Sequence, residues 1–332
     1  MERLSASRVL RPDGSLRPGT VVLDGGRIDA VLDEAGASPP DLTLCPGLVD
    51  LQVNGLGDLD VWRGDLDALG RALRAAGTTA WCPTLTSAPL DAYAAWFAAH
   101  PVPAPGEVGV HLEGPFLHPA RAGAHPPEHL RPPDAAWLAG LPPRVRLVTL
   151  APELPGGLEA TAALRARGVA VALGHSNATY DEALAAAEAG ATLVTHVFNA
   201  MAPMHHRAPG LAGAALSDAR LAPAVIGDGV HVHPAVLALV LATGRAVLVS
   251  DSVRTDAARR PDGSLGGSTV TLAEAVGVAV RAGVPLATAL VAATARPAAL
   301  IGRTDLGRLE PGARGDVVAL DASFRVVRVA SG

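Results

Sequence analysis

The sequence contains no lysine, and all 27 of its basic residues are arginine. This absence excludes Schiff-base chemistry, the lysine of a phosphate-binding P-loop and a carbamylated lysine that bridges two metal ions. A phosphate or an oxyanion would therefore have to be bound by arginine, histidine, backbone N–H groups or a metal ion.

Cysteines and long apolar runs are also scarce. The two cysteines, Cys45 and Cys82, are too few for a disulfide framework or a zinc knuckle. The longest apolar run, residues 234–249, is interrupted at Gly244 and Arg245. It is shorter than the roughly 18 residues that a membrane span needs, so we expect no such span.

The net charge of the sequence indicates which kinds of partner it can bind. The 27 basic and 32 acidic side chains give a formal net charge of −5, which provides no basic surface for nucleic acid. The first 14 residues are polar and carry three arginines, unlike a secretory signal. We therefore expect a cytoplasmic protein without a nucleic-acid or membrane partner.

The two ends of the chain resemble each other in pattern. Residues 1–44 and 305–332 read as short strands and turns, including a hairpin that turns at Gly25 and Gly26. We expect these segments to form one small β-sandwich module. Residues 45–304 are expected to form a separate catalytic unit.

The middle of the chain alternates apolar strands with alanine-rich helices. Continuous rather than alternating hydrophobicity predicts strands buried on both faces of a parallel sheet. Eight such units predict an α/β fold of the (β/α)8 TIM-barrel type, with a doubly wound open sheet as the alternative. The strand candidates are residues 44–53, 80–84, 108–113, 147–151, 170–175, 192–196, 223–227 and 246–251.

Polar side chains follow the carboxyl ends of these strands, where the reactive groups of a barrel enzyme lie. The strand interiors are apolar until their last one or two residues. The side chains at the ends are Gln52, Asn54, Glu113, His175, His196, Asp228, His231 and Asp251.

Glu113, His175 and His196 form the first candidate group. One carboxylate and two imidazoles make a usual set of ligands for a catalytic Zn²⁺ that keeps a position open for water. The alternative is that each histidine only makes hydrogen bonds inside the barrel mouth.

Asp251 is the second candidate, because a carboxylate at the end of an apolar strand is costly unless it is paired or used. Beside a metal-bound water it can act as the general base and then as the general acid of amide hydrolysis. The alternatives are a metal ligand or a buried helix cap.

A loop rich in glycine and proline, residues 196–213, directly follows the third presumed ligand. Asn199 and Arg207 on this loop are candidates for substrate binding, and Arg207 can hold a phosphate by two parallel hydrogen bonds. A solvated arginine without a role is the alternative.

Several phrases of the sequence resemble the N-acetylglucosamine-6-phosphate deacetylases of the amidohydrolase superfamily. They occur in that family's order from about residue 45 to residue 270. The phrases are Pro46-Gly-Leu-Val-Asp-Leu-Gln-Val-Asn-Gly, His111-Leu-Glu-Gly-Pro-Phe-Leu, Gly123-Ala-His-Pro-Pro-Glu, Leu173-Gly-His-Ser-Asn-Ala-Thr-Tyr, Thr195-His-Val-Phe-Asn-Ala-Met, Pro209-Gly-Leu-Ala-Gly, Asp228-Gly-Val-His and Val249-Ser-Asp.

The resemblance implies a role for each matching residue. Glu113, His175 and His196 would bind the metal ion, Asp251 would be the catalytic base and acid, and His125 would contact the substrate and help polarise its carbonyl. A homodimer is implied, with Arg207 able to reach the neighbouring subunit's site. The implied substrate-binding residues are Ala124, His125, Asn199, Ala200, Arg207, Asp228, His231, Leu265, Gly266 and Gly267.

The first strand departs from the wider superfamily. Many relatives carry His-x-His there and bind two metal ions, whereas this chain has Gln52 and Asn54, whose amides are poor ligands for Zn²⁺-type ions. We therefore expect one divalent ion per subunit, zinc before iron, cobalt or manganese. Gln52 and Asn54 would lie behind the ligands.

The resemblance implies hydrolysis of N-acetylglucosamine 6-phosphate to glucosamine 6-phosphate and acetate. A deacetylase of the galactosamine epimer would use the same ligands, and an amidohydrolase of another small N-acyl substrate would share the metal site. A barrel that has lost catalysis and only binds a ligand is the alternative from a different class.

Overall fold

The structure is a computed structural model that describes residues 1–36 and 39–330. Its strands fall into a terminal sheet, a barrel and a two-stranded hairpin. In chain order they are β1 (Glu2–Leu10), β2 (Leu16–Asp24), β3 (Arg27–Leu32), β4 (Thr43–Pro46), β5 (Leu48–Val53), β6 (Gly55–Leu56), β7 (Leu59–Asp60), β8 (Thr78–Leu85), β9 (Val110–Glu113), β10 (Val145–Leu150), β11 (Ala170–Leu173), β12 (Leu193–Val194), β13 (Ala222–Ile226), β14 (Val247–Val249), β15 (Val317–Leu320) and β16 (Val326–Ala330).

The eight strands of the barrel pair in parallel in the order β5-β8-β9-β10-β11-β12-β13-β14. The last and first strands meet through a bridge between Val53 and Ser252. The N–H groups of Asn54 and Gly55 both donate to the carbonyl of Ser252. Every residue of β5 and β8 is buried, which explains the continuous hydrophobicity. The predicted TIM-like barrel is confirmed.

The helices connect these strands and cover the barrel. The N-terminus of α5 is a capping box formed by Thr179 and Glu182, and α1 begins after its cap Asp65. The helices are α1 (Leu66–Ala75), α2 (Leu90–Ala99), α3 (Ala135–Ala139), α4 (Gly157–Ala166), α5 (Tyr180–Glu188), α6 (Gly210–Ser217), α7 (Pro234–Ala242), α8 (Leu272–Arg281), α9 (Leu286–Ala292) and α10 (Ala295–Leu300).

The first predicted strand, residues 44–53, is wrong as a single element. It is divided at Gly47 into β4, which joins the terminal sheet, and β5, which opens the barrel. A Cβ at Gly47 would lie 1.9 Å from Oγ1 of Thr79, so only glycine allows the chain to pass from one sheet to the other this closely.

The terminal sheet has the order β16-β15-β4-β1-β2-β3 and so combines both ends of the described chain. The predicted turn at Gly25 and Gly26 joins β2 to β3, and both glycines have positive φ angles of 50° and 84°. The small module made from both ends is therefore confirmed, while the domain division at residues 44 and 305 stays a prediction. Among the helices of residues 1–36 and 39–330, none combines the length and apolar character needed to cross a bilayer.

Candidate active site

The four central candidates lie at the same mouth of the barrel. Glu113 is the last residue of β9, and His175, His196 and Asp251 each come two residues after the end of β11, β12 and β14. Parallel strands of a barrel present their carboxyl ends at one face, so these side chains converge as the sequence predicted.

The donor atoms of Glu113, His175 and His196 form a small triangle. Glu113 Oε1 lies 3.0 Å from His196 Nε2 and 3.3 Å from His175 Nε2, and the two Nε2 atoms are 3.1 Å apart. Ligands at about 2.0–2.1 Å from a tetrahedral zinc ion lie about 3.3 Å from one another. All three residues are at most 4% exposed. Their spacing and chemistry therefore fit one divalent ion.

A neighbouring histidine completes the cluster. His125, His175 and Glu113 also have ligand atoms within 4.8 Å of one another, and His125 Nε2 lies 3.8 Å from Glu113 Oε2. We favour His196 over His125 as the third ligand, because its Nε2 atom is closer to Glu113 and points at His175 Nε2.

The tautomer of His175 is set by its backbone contact. Its Nδ1 lies 2.8 Å from the carbonyl oxygen of Arg121, which can only accept, so Nδ1 carries the proton. With an ion bound, Nε2 would offer its lone pair to that ion, as a metal ligand requires. The Nδ1 atom of His196 is buried without a hydrogen-bond partner in the described part of the chain.

The backbone is strained at three of these positions. The φ angles of His175, His196 and Asp251 are 48°, 27° and 47°, in the left-handed region that non-glycine residues rarely adopt. Such strain persists only where the surrounding structure holds it, and it is concentrated at functional sites. Here it turns the three residues away from the strand direction at the barrel mouth.

Burial and hydrogen bonding have opposite effects on the pKa values of Glu113 and His196. Burial opposes the ionisation of Glu113, but hydrogen bonds with His175 and His196 outweigh it and hold the pKa of Glu113 well below its usual range. Burial also lowers the pKa of His196, and the hydrogen bond to Glu113 more than reverses this, so its pKa is raised.

The pKa of Asp251 is shifted in the opposite direction to that of Glu113. Burial, and then repulsion by Glu113, raise its pKa from 3.8 to about 6, while His196 and His231 act in the other direction. A carboxyl group with its pKa near the working pH can both accept and return a proton.

Gln52 on β5 and Asn54 directly after it each donate a hydrogen bond to one acid of the site. Gln52 Nε2 donates to Glu113 Oε1 at 2.9 Å, and Asn54 Nδ2 donates to Asp251 Oδ1 at 2.9 Å. Asn54 also lines the cavity, and the supporting role that the sequence suggested for both residues stays a prediction.

His125 is held with its second nitrogen free for a substrate. Its Nδ1 accepts from the backbone N–H of Ser87 at 3.1 Å and lies 2.8 Å from the Ser87 hydroxyl. Burial, and then repulsion by His175, lower its pKa to about 3, so the ring is neutral. The proton therefore sits on Nε2, which makes that atom a hydrogen-bond donor.

A cavity of about 650 Å³ opens over these residues. Most of the predicted substrate-binding residues line it, and Arg207 and Asp228 lie outside the lining. Those that line it are Ala124, His125, Asn199, Ala200, His231, Leu265, Gly266 and Gly267.

The two predicted residues outside the lining have different surroundings. Asp228 Oδ2 accepts from His231 Nδ1 at 2.6 Å, so it orients an imidazole that does line the cavity. Arg207 is exposed, and its Nη1 lies 2.7 Å from Nε2 of the adjacent His206.

Sequence reasoning missed several residues of the cavity. Asp60 and Trp62 come from the segment at and after β7, Thr86 follows β8, and Arg259 and Arg260 come from the long segment after β14. Thr86 directly follows the buried strand β8, a position that sequence reasoning could have used. The other four residues belong to no motif and directly follow no apolar strand, so the sequence contained no signal for them.

The amidohydrolase family matches residues 43–330. The barrel, the acid and histidine cluster at its mouth and this match together define an amidohydrolase, which is a hydrolase of amide bonds. The family is metal-dependent, and the cluster of Glu113 with its histidines can hold the ion.

Similar proteins of known name indicate which branch of the amidohydrolase family this chain belongs to. The chain is 38% identical to an N-acetylglucosamine-6-phosphate deacetylase of Bos taurus, over 85% of this chain and 80% of that one. It is 35% identical to an N-acetylgalactosamine-6-phosphate deacetylase of Escherichia coli O157:H7, over 98% and 97%. The crystal structure of an N-acetyl-D-glucosamine-6-phosphate deacetylase from Mycobacterium smegmatis superposes with a TM-score of 0.92 at 34% identity, covering 100% of this chain and 98% of that one. The chain belongs to the amidohydrolase branch that contains these amino-sugar-phosphate deacetylases.

Proposed function

We propose that this protein removes the acetyl group of N-acetylglucosamine 6-phosphate and releases glucosamine 6-phosphate and acetate. The observation that carries the proposal is the meeting of a ligand triangle, Glu113 with His175 and His196, and a buried aspartate, Asp251, in one cavity. The substrate is taken from the names of the relatives, since the cavity alone is compatible with other small amides.

Glu113, His175 and His196 would hold one divalent ion, which when bound supplies an activated water and polarises the acetyl carbonyl. The carboxylate and imidazole donors favour zinc, with iron, cobalt or manganese as alternatives. Gln52 and Asn54 donate hydrogen bonds through their amide nitrogens to Glu113 and Asp251. Those contacts support one ion rather than two.

Asp251 would take the proton of the attacking water and pass it to the amide nitrogen as the C–N bond breaks. Its raised pKa suits both transfers. His125, with its proton on Nε2, would donate a hydrogen bond to the acetyl oxygen and stabilise the negative charge that develops there.

The test is acetate release from N-acetylglucosamine 6-phosphate by purified protein of known metal content. We expect about one divalent ion per chain, loss of activity on chelation and recovery when the ion is returned. Protein that contains the ion and releases no acetate from this sugar would contradict the proposed substrate.

The galactosamine epimer is the second candidate. The relative that acts on it aligns with 98% of this chain, more than the 85% covered by the cattle glucosamine relative. The ratio of kcat/KM for the two epimers decides between them, because they differ only in the orientation of one hydroxyl group.

We also propose that the enzyme is a homodimer in which Arg207 reaches the partner subunit's cavity. The support is the position of Arg207, which is exposed on a loop that also exposes Met204 and lies outside the lining of its own cavity. The cytoplasmic location expected from the sequence stays a prediction.

A further inference from the structure

The turn that follows β11 carries the candidate ligand His175 in a strained conformation. His175 has a φ angle of 48°, and the next residue, Ser176, is completely buried. A non-glycine residue keeps such a conformation only where neighbouring groups hold it. The groups that bind this turn are therefore candidates for keeping His175 in place.

Glu153, three residues after the end of β10, accepts two hydrogen bonds from this turn. Its Oε1 accepts from the backbone N–H of Asn177 at 2.5 Å, and its Oε2 accepts from the hydroxyl of Ser176 at 2.8 Å. Hydrogen bonds to an ionised carboxylate are stronger than those between neutral groups. Glu153 thus fixes the two residues that directly follow His175.

A second set of contacts holds His175 from another segment. The N–H of His118 donates to the carbonyl of His175 at 2.9 Å, and His175 Nδ1 donates to the carbonyl of Arg121 at 2.8 Å. Both partners belong to the 3₁₀ helix Pro119–Arg121 and its N-cap His118. This short helix therefore binds the backbone as well as the ring of the histidine.

Asn177 connects the two sets of contacts. Its backbone N–H donates to Glu153, and its side-chain Oδ1 accepts from Arg121 Nε at 2.5 Å. The contacts therefore form one chain from Glu153 to the ring of His175. A hydrogen bond to the second nitrogen of a ligating histidine fixes the orientation of its ring. Glu153 itself lies outside the lining of the cavity, so it would act through His175 and not on the substrate.

We propose that Glu153 is a positioning residue that holds His175 in the orientation of a metal ligand. It acts through Asn177 and Arg121. This inference rests on the proposed function, because it assumes that His175 binds a divalent ion. The alternative is that Glu153 stabilises the fold and leaves the site of the ion unchanged.

The variant Glu153→Gln tests the inference, because glutamine keeps the size of the side chain, removes its charge and replaces one acceptor by an NH₂ group. We expect the affinity for Zn²⁺ to fall about 10–100-fold, measured by competition with a chelator. The visible absorption spectrum of the Co²⁺-loaded variant should also differ from that of the wild type, since this spectrum reports the arrangement of the ligands.

Glu274→Gln is the matched control. Glu274 also accepts one backbone N–H and one hydroxyl, both from Thr271, at 2.7 and 2.9 Å, but it caps α8. We expect this variant to lower the free energy of unfolding of the metal-free protein and to keep the metal affinity of the wild type. The comparison separates a loss of stability from a loss of ligand positioning.

Asn177→Ala is the second variant, and it keeps the test usable if Glu153→Gln does not fold. It removes the contact with Arg121 Nε and keeps the backbone contact with Glu153, and we expect a loss of Zn²⁺ affinity here too. In the double variant the loss should be smaller than the product of the two single losses, because both changes act on one chain of contacts.

Wild-type metal affinity and an unchanged cobalt spectrum in the two single variants would overturn the inference. An equal loss of affinity in Glu274→Gln would overturn it as well, because the effect would then follow from stability alone. Wild-type protein that binds no divalent ion would instead overturn the metal site of the proposed function.

Discussion

At the scale of single residues, Asp251 and Glu113 show how one cavity gives two carboxylates different properties. Glu113 is stabilised as an anion by two imidazoles, whereas the pKa of Asp251 is raised by burial and by Glu113 itself. A pair of acids whose pKa values are pushed apart is the pattern that separates a ligand from a proton carrier.

The substitution Asp251→Asn tests this division. It keeps the shape and the contact with Asn54 but removes the proton acceptor, so kcat should fall by about 10²–10⁴-fold. Metal content and substrate affinity should remain near the wild-type values. Activity close to that of the wild type would show that another group carries the proton.

Gln52 and Asn54 give a second, paired prediction. Gln52→Leu removes a hydrogen bond to a presumed metal ligand, and we expect metal affinity to fall about 10–100-fold, measured by competition with a chelator. Asn54→Leu removes a hydrogen bond to Asp251 and should reduce kcat while leaving metal affinity nearly unchanged. Identical effects of the two variants would contradict the separate roles.

At the scale of elements, the barrel is closed between β5 and β14 by a side chain as well as by backbone. Asp50 is 1% exposed, and its carboxylate accepts from the backbone N–H of Gln52 at 3.2 Å and of Ser250 at 3.3 Å. The Ser268 hydroxyl donates to the carbonyl of Ser250 at 2.5 Å. Asp50 therefore connects β5, which carries Gln52, to the segment directly after β14, which carries Asp251.

Because the carboxylate of Asp50 is buried, we expect the stability of the protein to depend on pH. Burial raises the pKa of Asp50 from 3.8 to about 7. The folded state therefore binds more protons than the unfolded chain between about pH 4 and pH 7, and the free energy of unfolding should fall as pH rises through this window, by up to about 4 kcal/mol. In Asp50→Asn that part of the pH dependence should disappear in denaturant titrations.

The control is Asp29→Asn, which changes an exposed acid on β3. It should keep the pH dependence of the wild type. If Asp50→Asn also keeps it, then Asp50 is not the group that titrates at this contact between strands.

At the scale of the whole molecule, the exposed position of Arg207 allows a test of subunit exchange. If the partner subunit's Arg207 completes each site, a dimer of one Arg207→Ala subunit and one Asp251→Asn subunit contains one intact site. Random mixing should then recover about a quarter of wild-type activity at low substrate concentration. Mixtures that stay as inactive as the separate variants would show that Arg207 does not act across subunits.

The sequence by itself determined the barrel and most of its mouth. Buried parallel strands have continuous apolar runs, and the chain leaves each run at the same face, so Glu113, His175, His196 and Asp251 could be placed together without coordinates. The capping box of α5 and the turn at Gly25 could be predicted because they depend on residues three or fewer positions apart.

Only the tertiary structure decided the features that join distant parts of the chain. Asp50 meets Ser250 across 200 positions, and Arg260 meets Gly123 across 137. The left-handed backbone at His175, His196 and Asp251 is likewise held by the surrounding fold. Such contacts leave no periodic or local pattern, because their geometry is set by the packing of elements and not by neighbouring residues.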